Sequence, residues 1–130
     1  MRALHLGIGI LVLIIFLFSG YYMLEFVPEL PNGERMAWRA NHIYLMMISV
    51  AHLLLGAYYS PSEKQLPRAM QTGGSLLMLA AAALSVLAFF FDTATTDLDA
   101  RVYSYFSAVT LFAGTLLHIF GTWLGGRGKK

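Results

Sequence analysis

The sequence predicts an all-α fold, an integral membrane four-helix bundle, and three observations predict it. Of its 130 residues, 58% are hydrophobic and only 12% charged, with a mean hydropathy of +0.63, a balance too apolar for a soluble domain of this size. The charged residues are confined to short polar segments, leaving four long runs nearly free of charge. Each run has roughly the 20 residues needed to cross about 30 Å of hydrocarbon at about 1.5 Å per residue. The runs are continuously apolar and do not alternate with a period of two, which disfavours a strand-rich outer-membrane barrel.

The spans are expected at residues 4–24, 40–59, 70–91 and 102–124, in a single domain covering 1–130. Span 1 begins after Arg2 and has an apolar middle, as a secretory signal would. It is longer than a usual signal core, however, and Phe18-Ser19-Gly20 puts a bulky side chain where cleavage wants a small one, so the segment is expected to be retained. "VPELPNGE", with two prolines and an Asn-Gly, reads as a turn-rich loop, and Asn32 suits the cap of a helix that starts before the membrane and enters it as span 2. "SPSEKQLP" makes a short turn to span 3. In "TTDLDAR", Thr96 followed three residues later by Asp99 resembles a capping box for span 4, with Asp97 favourably placed in a first turn. Residues 125–130, "GGRGKK", read as a basic tail.

Arg2, Lys64, Arg68, Arg127, Lys129 and Lys130 flank the spans on one side, whereas Arg35, Arg39 and Arg101 lie on the other. By the positive-inside rule the first side is cytoplasmic, so both termini are expected in the cytoplasm of a bacterial-type inner (plasma) membrane. Tyr21, Tyr22, Trp38, Phe89 to Phe91, Tyr103 and Tyr105 would form one aromatic belt, and Tyr58, Tyr59, Phe120 and Trp123 the other.

Helical rotation of about 100° per residue gathers Asn41, His42, Leu45, Ser49, His52 and Gly56 on one face of span 2. The same rotation gathers Gln71, Gly74, Ser75, Met78, Ala82 and Ser85 on span 3, and Ser104, Ser107, Thr110, Gly114, Thr115, His118, Gly121 and Thr122 on span 4. Such small and hydroxylated faces let helix backbones approach and hydrogen-bond. Span 1 is nearly all large aliphatic and aromatic, so the core is expected in spans 2 to 4 with span 1 the most lipid-exposed. His52 lies eight residues before Ser60 and His118 seven before Gly125, which puts both about 10–12 Å inside the cytoplasmic end. His42 falls near the outer surface, and His5 opens span 1 at the inner surface, where water can solvate it.

With no cysteine, disulfides, thiol chemistry and cysteine-based zinc or iron–sulfur sites are excluded. No Gly-x-Ser-x-Gly or His-Glu-x-x-His occurs, and the few dispersed bases do not suit nucleic acid. The first functional reading is therefore a non-catalytic structural or accessory membrane component without cofactor or metal. Its partners would be the lipid bilayer and another membrane protein or a second copy, met through the polar faces of spans 2 to 4. The alternative is an electron-transfer subunit holding a b-type haem, with His52 and His118 as axial ligands and Gly56, Gly114 and Gly121 leaving room for the porphyrin. Copper is a weaker reading of the seven methionines, Met46 and Met47 beside His42 among them. A third class, a small transporter or channel protomer, would want a carboxylate in mid-membrane, and none is present. At the outer entrance of span 2, Arg35, Arg39, Asn41 and His42 form a concentrated polar group suited to a lipid head group or a partner.

Overall fold

A computed structural model describes residues 1–92, 97 and 99–126. They form four helices, α1 (Arg2–Phe26), α2 (Asn32–Tyr58), α3 (Gln65–Phe91) and α4 (Val102–Gly126). At 25 to 27 residues each, they are about 37–41 Å long, and all four are long and apolar enough to cross a membrane. The architecture is that of a multi-pass membrane protein. The N-terminus, the α2–α3 turn and the end of α4 share one end of the bundle, called here the terminal end.

The helices run past the predicted spans where local chemistry allows. Pro31 precedes α2 with φ −55°, already in the helical range. Asn32 therefore does not cap this helix but is its first residue, and its side-chain amide oxygen Oδ1 accepts from the Arg35 guanidinium within the first turn. In α3, Pro67 sits in the first turn, where its missing N–H has no intrahelical partner to lose. Thr96 lies outside the described residues. Because α4 starts at Val102, Asp97 and Asp99 precede its first turn, and capping comes from another source. Asp92, the residue that follows α3, accepts the Ser104 N–H at 2.6 Å, placing a carboxylate on the positive end of the α4 dipole.

Glycines set the closest helix contacts. A Cβ at Gly9 would lie 2.9 Å from the backbone nitrogen of Leu53, and one at Gly56 would lie 2.8 Å from that of Leu6. α1 and α2 are thus pressed backbone to backbone. A Cβ at Gly74 would come 2.7 Å from the carbonyl oxygen of Gly114, and one at Gly114 would come 2.8 Å from that of Gly74, which pairs α3 with α4 in the same way. The two hairpins meet mainly through α2 and α3, with α1 reaching α3 more lightly, whereas α2 and α4 are not close-packed.

Most of the polar faces close on one another inside the chain, whereas Thr115 and Thr122 of the span 4 face stay exposed. Asn41, Ser49, His52, Gln71, Ser75, Ser85, Ser104, Ser107 and His118 are all buried. Span 1 departs from expectation, because α1 shares the core through Val12 beside Leu45, Ile48, Ala81, Ala82 and Phe89. α4 buries the smallest share of its apolar length, 17% against 22% for α1. Composition misleads here because a few residues on one face, Gly9 against Leu53 and Leu6 against Gly56, bring α1 close to α2.

Candidate functional site

Near the terminal end, side chains from all four helices join in one buried chain. His52 of α2 sets its Nε2 3.1 Å from the Met78 carbonyl of α3. Its Nδ1 lies 3.0 Å from Nδ1 of His5 of α1. His5 Nε2 then lies 2.9 Å from Ser75 Oγ of α3, and Ser75 Oγ lies 2.9 Å from His118 Nε2 of α4. His5, His52 and Ser75 have no solvent exposure, and His118 has 6%.

The hydrogen-bond pattern orders the protons of this chain. A carbonyl can only accept, so His52 Nε2 carries a hydrogen and donates to Met78. For neutral rings the rest follows in sequence. His52 Nδ1 accepts from His5 Nδ1–H, His5 Nε2 accepts from the Ser75 hydroxyl, and Ser75 Oγ accepts from His118 Nε2–H. The final group, His118 Nδ1, is left as an acceptor.

His5 is the main departure from expectation. It is not solvated, because α1 begins at Arg2 and the Arg2 guanidinium bonds the Gly56 and Ala57 carbonyls at 3.0 and 3.2 Å. That contact satisfies carbonyls at the end of α2, where a cation also favours the helix dipole. It holds the first turn of α1 against α2, so His5 enters the seam.

His52 and His118 are therefore at a common level, as their spacing predicts, but are linked only through His5 and Ser75 and have both Nε2 atoms engaged. The glycines expected to clear space beside them are occupied. Leu6 fills the space over Gly56, Gly74 and Met78 that over Gly114, and Pro67 and Gln71 that over Gly121. No group of three or more histidine, aspartate or glutamate side chains among the described residues has an arrangement that could hold a metal ion.

Beside the chain, the gap between α2 and α4 is an apolar groove of about 760 Å³, with Leu54, Leu55, Tyr58, Met78, Ile119 and Trp123 among its walls and His118, Tyr59, Gln71 and Thr122 as its polar lining. A second hollow of about 420 Å³, lined by Met47, Ile48, Leu111 and Phe112, lies further along the same helices and shares Thr115 with the first. Gln71 braces this region, donating to Ser60 O at 3.2 Å and to Thr122 Oγ1 at 3.3 Å while accepting the Ser62 N–H at 2.9 Å.

No family model matches this chain, and comparison with curated proteins and with solved structures finds no match. The functional reading therefore rests on the geometry.

At the opposite end, the polar group of span 2 divides three ways. Arg39 is exposed, and Arg35 bonds Asn32 locally. His42 turns to α1, stacked on Phe16 at 4.1 Å with Nδ1 2.9 Å from Ser19 Oγ. Asn41 turns inward, donating to Ala88 O at 2.9 Å and accepting from Arg101 at 2.7 Å and from Ser104 Oγ at 3.0 Å. Sequence reasoning missed Arg101 and His5 as partners. Depth was the available signal for His5, since it lies at the same end as His52 and His118, but its facing was not.

Proposed function

We propose that this chain is a non-catalytic membrane protein that holds a lipid-soluble amphiphile in the groove between α2 and α4. One observation carries the reading: an apolar groove with a small polar lining, His118 with Tyr59, Gln71 and Thr122, and a second apolar hollow next to it at Thr115. Its volume lies within the range of about 300–1,000 Å³ usual for small-molecule sites, which are mostly apolar with a few placed polar groups. The accessory role expected from the sequence is kept, but it moves from the polar faces, most of which close on one another, to the open seam that Thr115 and Thr122 still line. A haem between His52 and His118 is not favoured, since both Nε2 atoms are engaged and Leu6, Gly74, Met78, Pro67 and Gln71 fill the cleared space. The asymmetry of flanking bases supports an orientation with the terminal end in the cytoplasm of a bacterial inner membrane.

Trp123 supplies the test. The chain has two tryptophans, and Trp38 packs on Tyr22 and Phe89, so Trp38→Phe leaves Trp123 of the groove as the only indole. Protein of this variant in lipid nanodiscs is titrated with a ring-brominated alkyl phenol. Saturable quenching, reversed by an unbrominated competitor, is expected; quenching that only rises in proportion to the probe would overturn the reading.

A further inference from the structure

The ordered chain has a consequence for what the groove accepts. His118 presents its Nε2–Cδ2 edge to α3, with Nε2 on Ser75 and Cδ2 2.9 Å from where a Cβ at Gly74 would stand. In a five-membered imidazole the atom opposite that edge is Nδ1, so Nδ1 points away from α3. His118 is also the only histidine among the groove-lining residues. Because the Met78 carbonyl fixes every donor back along the chain, Nδ1 is an acceptor with no hydrogen to offer.

We infer that the groove selects amphiphiles whose head donates a hydrogen bond, namely alkyl phenols and quinols, over the matching ethers and quinones. The inference rests on the groove reading above and names the class of its occupant. A phenolic O–H meets the Nδ1 lone pair, and its ring lies among Tyr58, Tyr59 and Trp123, where aromatic faces favour another ring. The alkyl tail follows the seam towards Met47 and Phe112. An ether or quinone oxygen brings a second acceptor against Nδ1 and leaves both unpaired, and a buried polar group left without its partner discriminates strongly between such analogues.

The experiment uses the Trp38→Phe protein in nanodiscs, with the brominated phenol as reporter and 4-dodecylphenol or its methyl ether as competitor, compared at equal mole fraction in the bilayer. The phenol is expected to compete about tenfold more tightly, the effect of one hydrogen bond of about 1.4 kcal/mol. Ser75→Ala frees His118 Nε2 and allows the other tautomer, so the preference should fall to about twofold or less. His118→Phe keeps the ring without its nitrogens and should abolish the preference, even where Ser75→Ala does not fold. Equal competition by phenol and ether in the parent protein overturns the inference and leaves the groove reading standing. A full preference surviving in either variant overturns the role of the chain. Absence of any saturable quenching removes the groove reading and the inference with it.

Discussion

Replacing Ser75 with alanine tests the histidine chain as a structural device, because this hydroxyl alone connects His5 to His118. The substitution removes two buried hydrogen bonds of 2.9 Å each and leaves His5 Nε2 and His118 Nε2–H facing one another without a bridge. Side-chain hydrogen bonds between helices in a bilayer average about 0.6 kcal/mol with a maximum near 1.7, so losing two predicts a destabilisation of about 1–3 kcal/mol. The same helix carries its own control. Ser85, ten residues further on, is buried at 1% exposure, yet its hydroxyl has no partner among the described residues. Ser85→Ala removes the same atom from a similar setting without breaking a bond, so stability should hold or rise by up to about 1 kcal/mol. Equilibrium unfolding of both variants in mixed detergent micelles, followed by tryptophan fluorescence and far-ultraviolet circular dichroism, measures the difference. If Ser75→Ala costs no more than Ser85→Ala, the hydroxyl does not bridge the rings and the proton order derived from it fails.

Gly114→Ala should destabilise by about 1–3 kcal/mol, since its Cβ would stand 2.8 Å from a backbone carbonyl and α3 and α4 would have to separate. Gly7→Ala meets nothing within 4 Å and should be neutral or gain up to about 1 kcal/mol from helix propensity; thermal unfolding of the two variants side by side checks this. Asn41→Leu strands the Ala88 carbonyl, Arg101 and the Ser104 hydroxyl together, and should cost at least about 2 kcal/mol, whereas the exposed Arg39→Ala should stay within about 0.5 kcal/mol. Chemical unfolding of this pair tells whether the polar group of span 2 acts as one surface or divides between surface and core.

Much of the site was legible before any fold was known. The periodicity of spans 2 to 4 places Asn41, Ser49, His52, Ser75, Ser85, Ser104 and His118 on inward faces, and all of them are buried. Rotation per residue is a local property, so a single helix reveals its own face. Two residues escaped for the same reason. His5 sits on a helix whose side chains are mostly large and apolar, and Arg101 precedes α4 as a loop cation, so neither belongs to a polar stripe. Their partners are far away in the chain, His52 lying 47 positions from His5 and Asn41 60 positions from Arg101.

The sequence by itself determined that the chain is all helical, has four apolar spans and buries polar faces, because hydropathy and helical rotation act within about 25 residues. Only the tertiary structure decided what those faces meet. That His52 and His118 are joined through His5 and Ser75, and not across an open slot, depends on how closely glycines let four backbones approach. That α2 and α4 stay apart depends on the same contacts: α1 presses on α2 and α4 on α3, so the remaining seam is left as a groove.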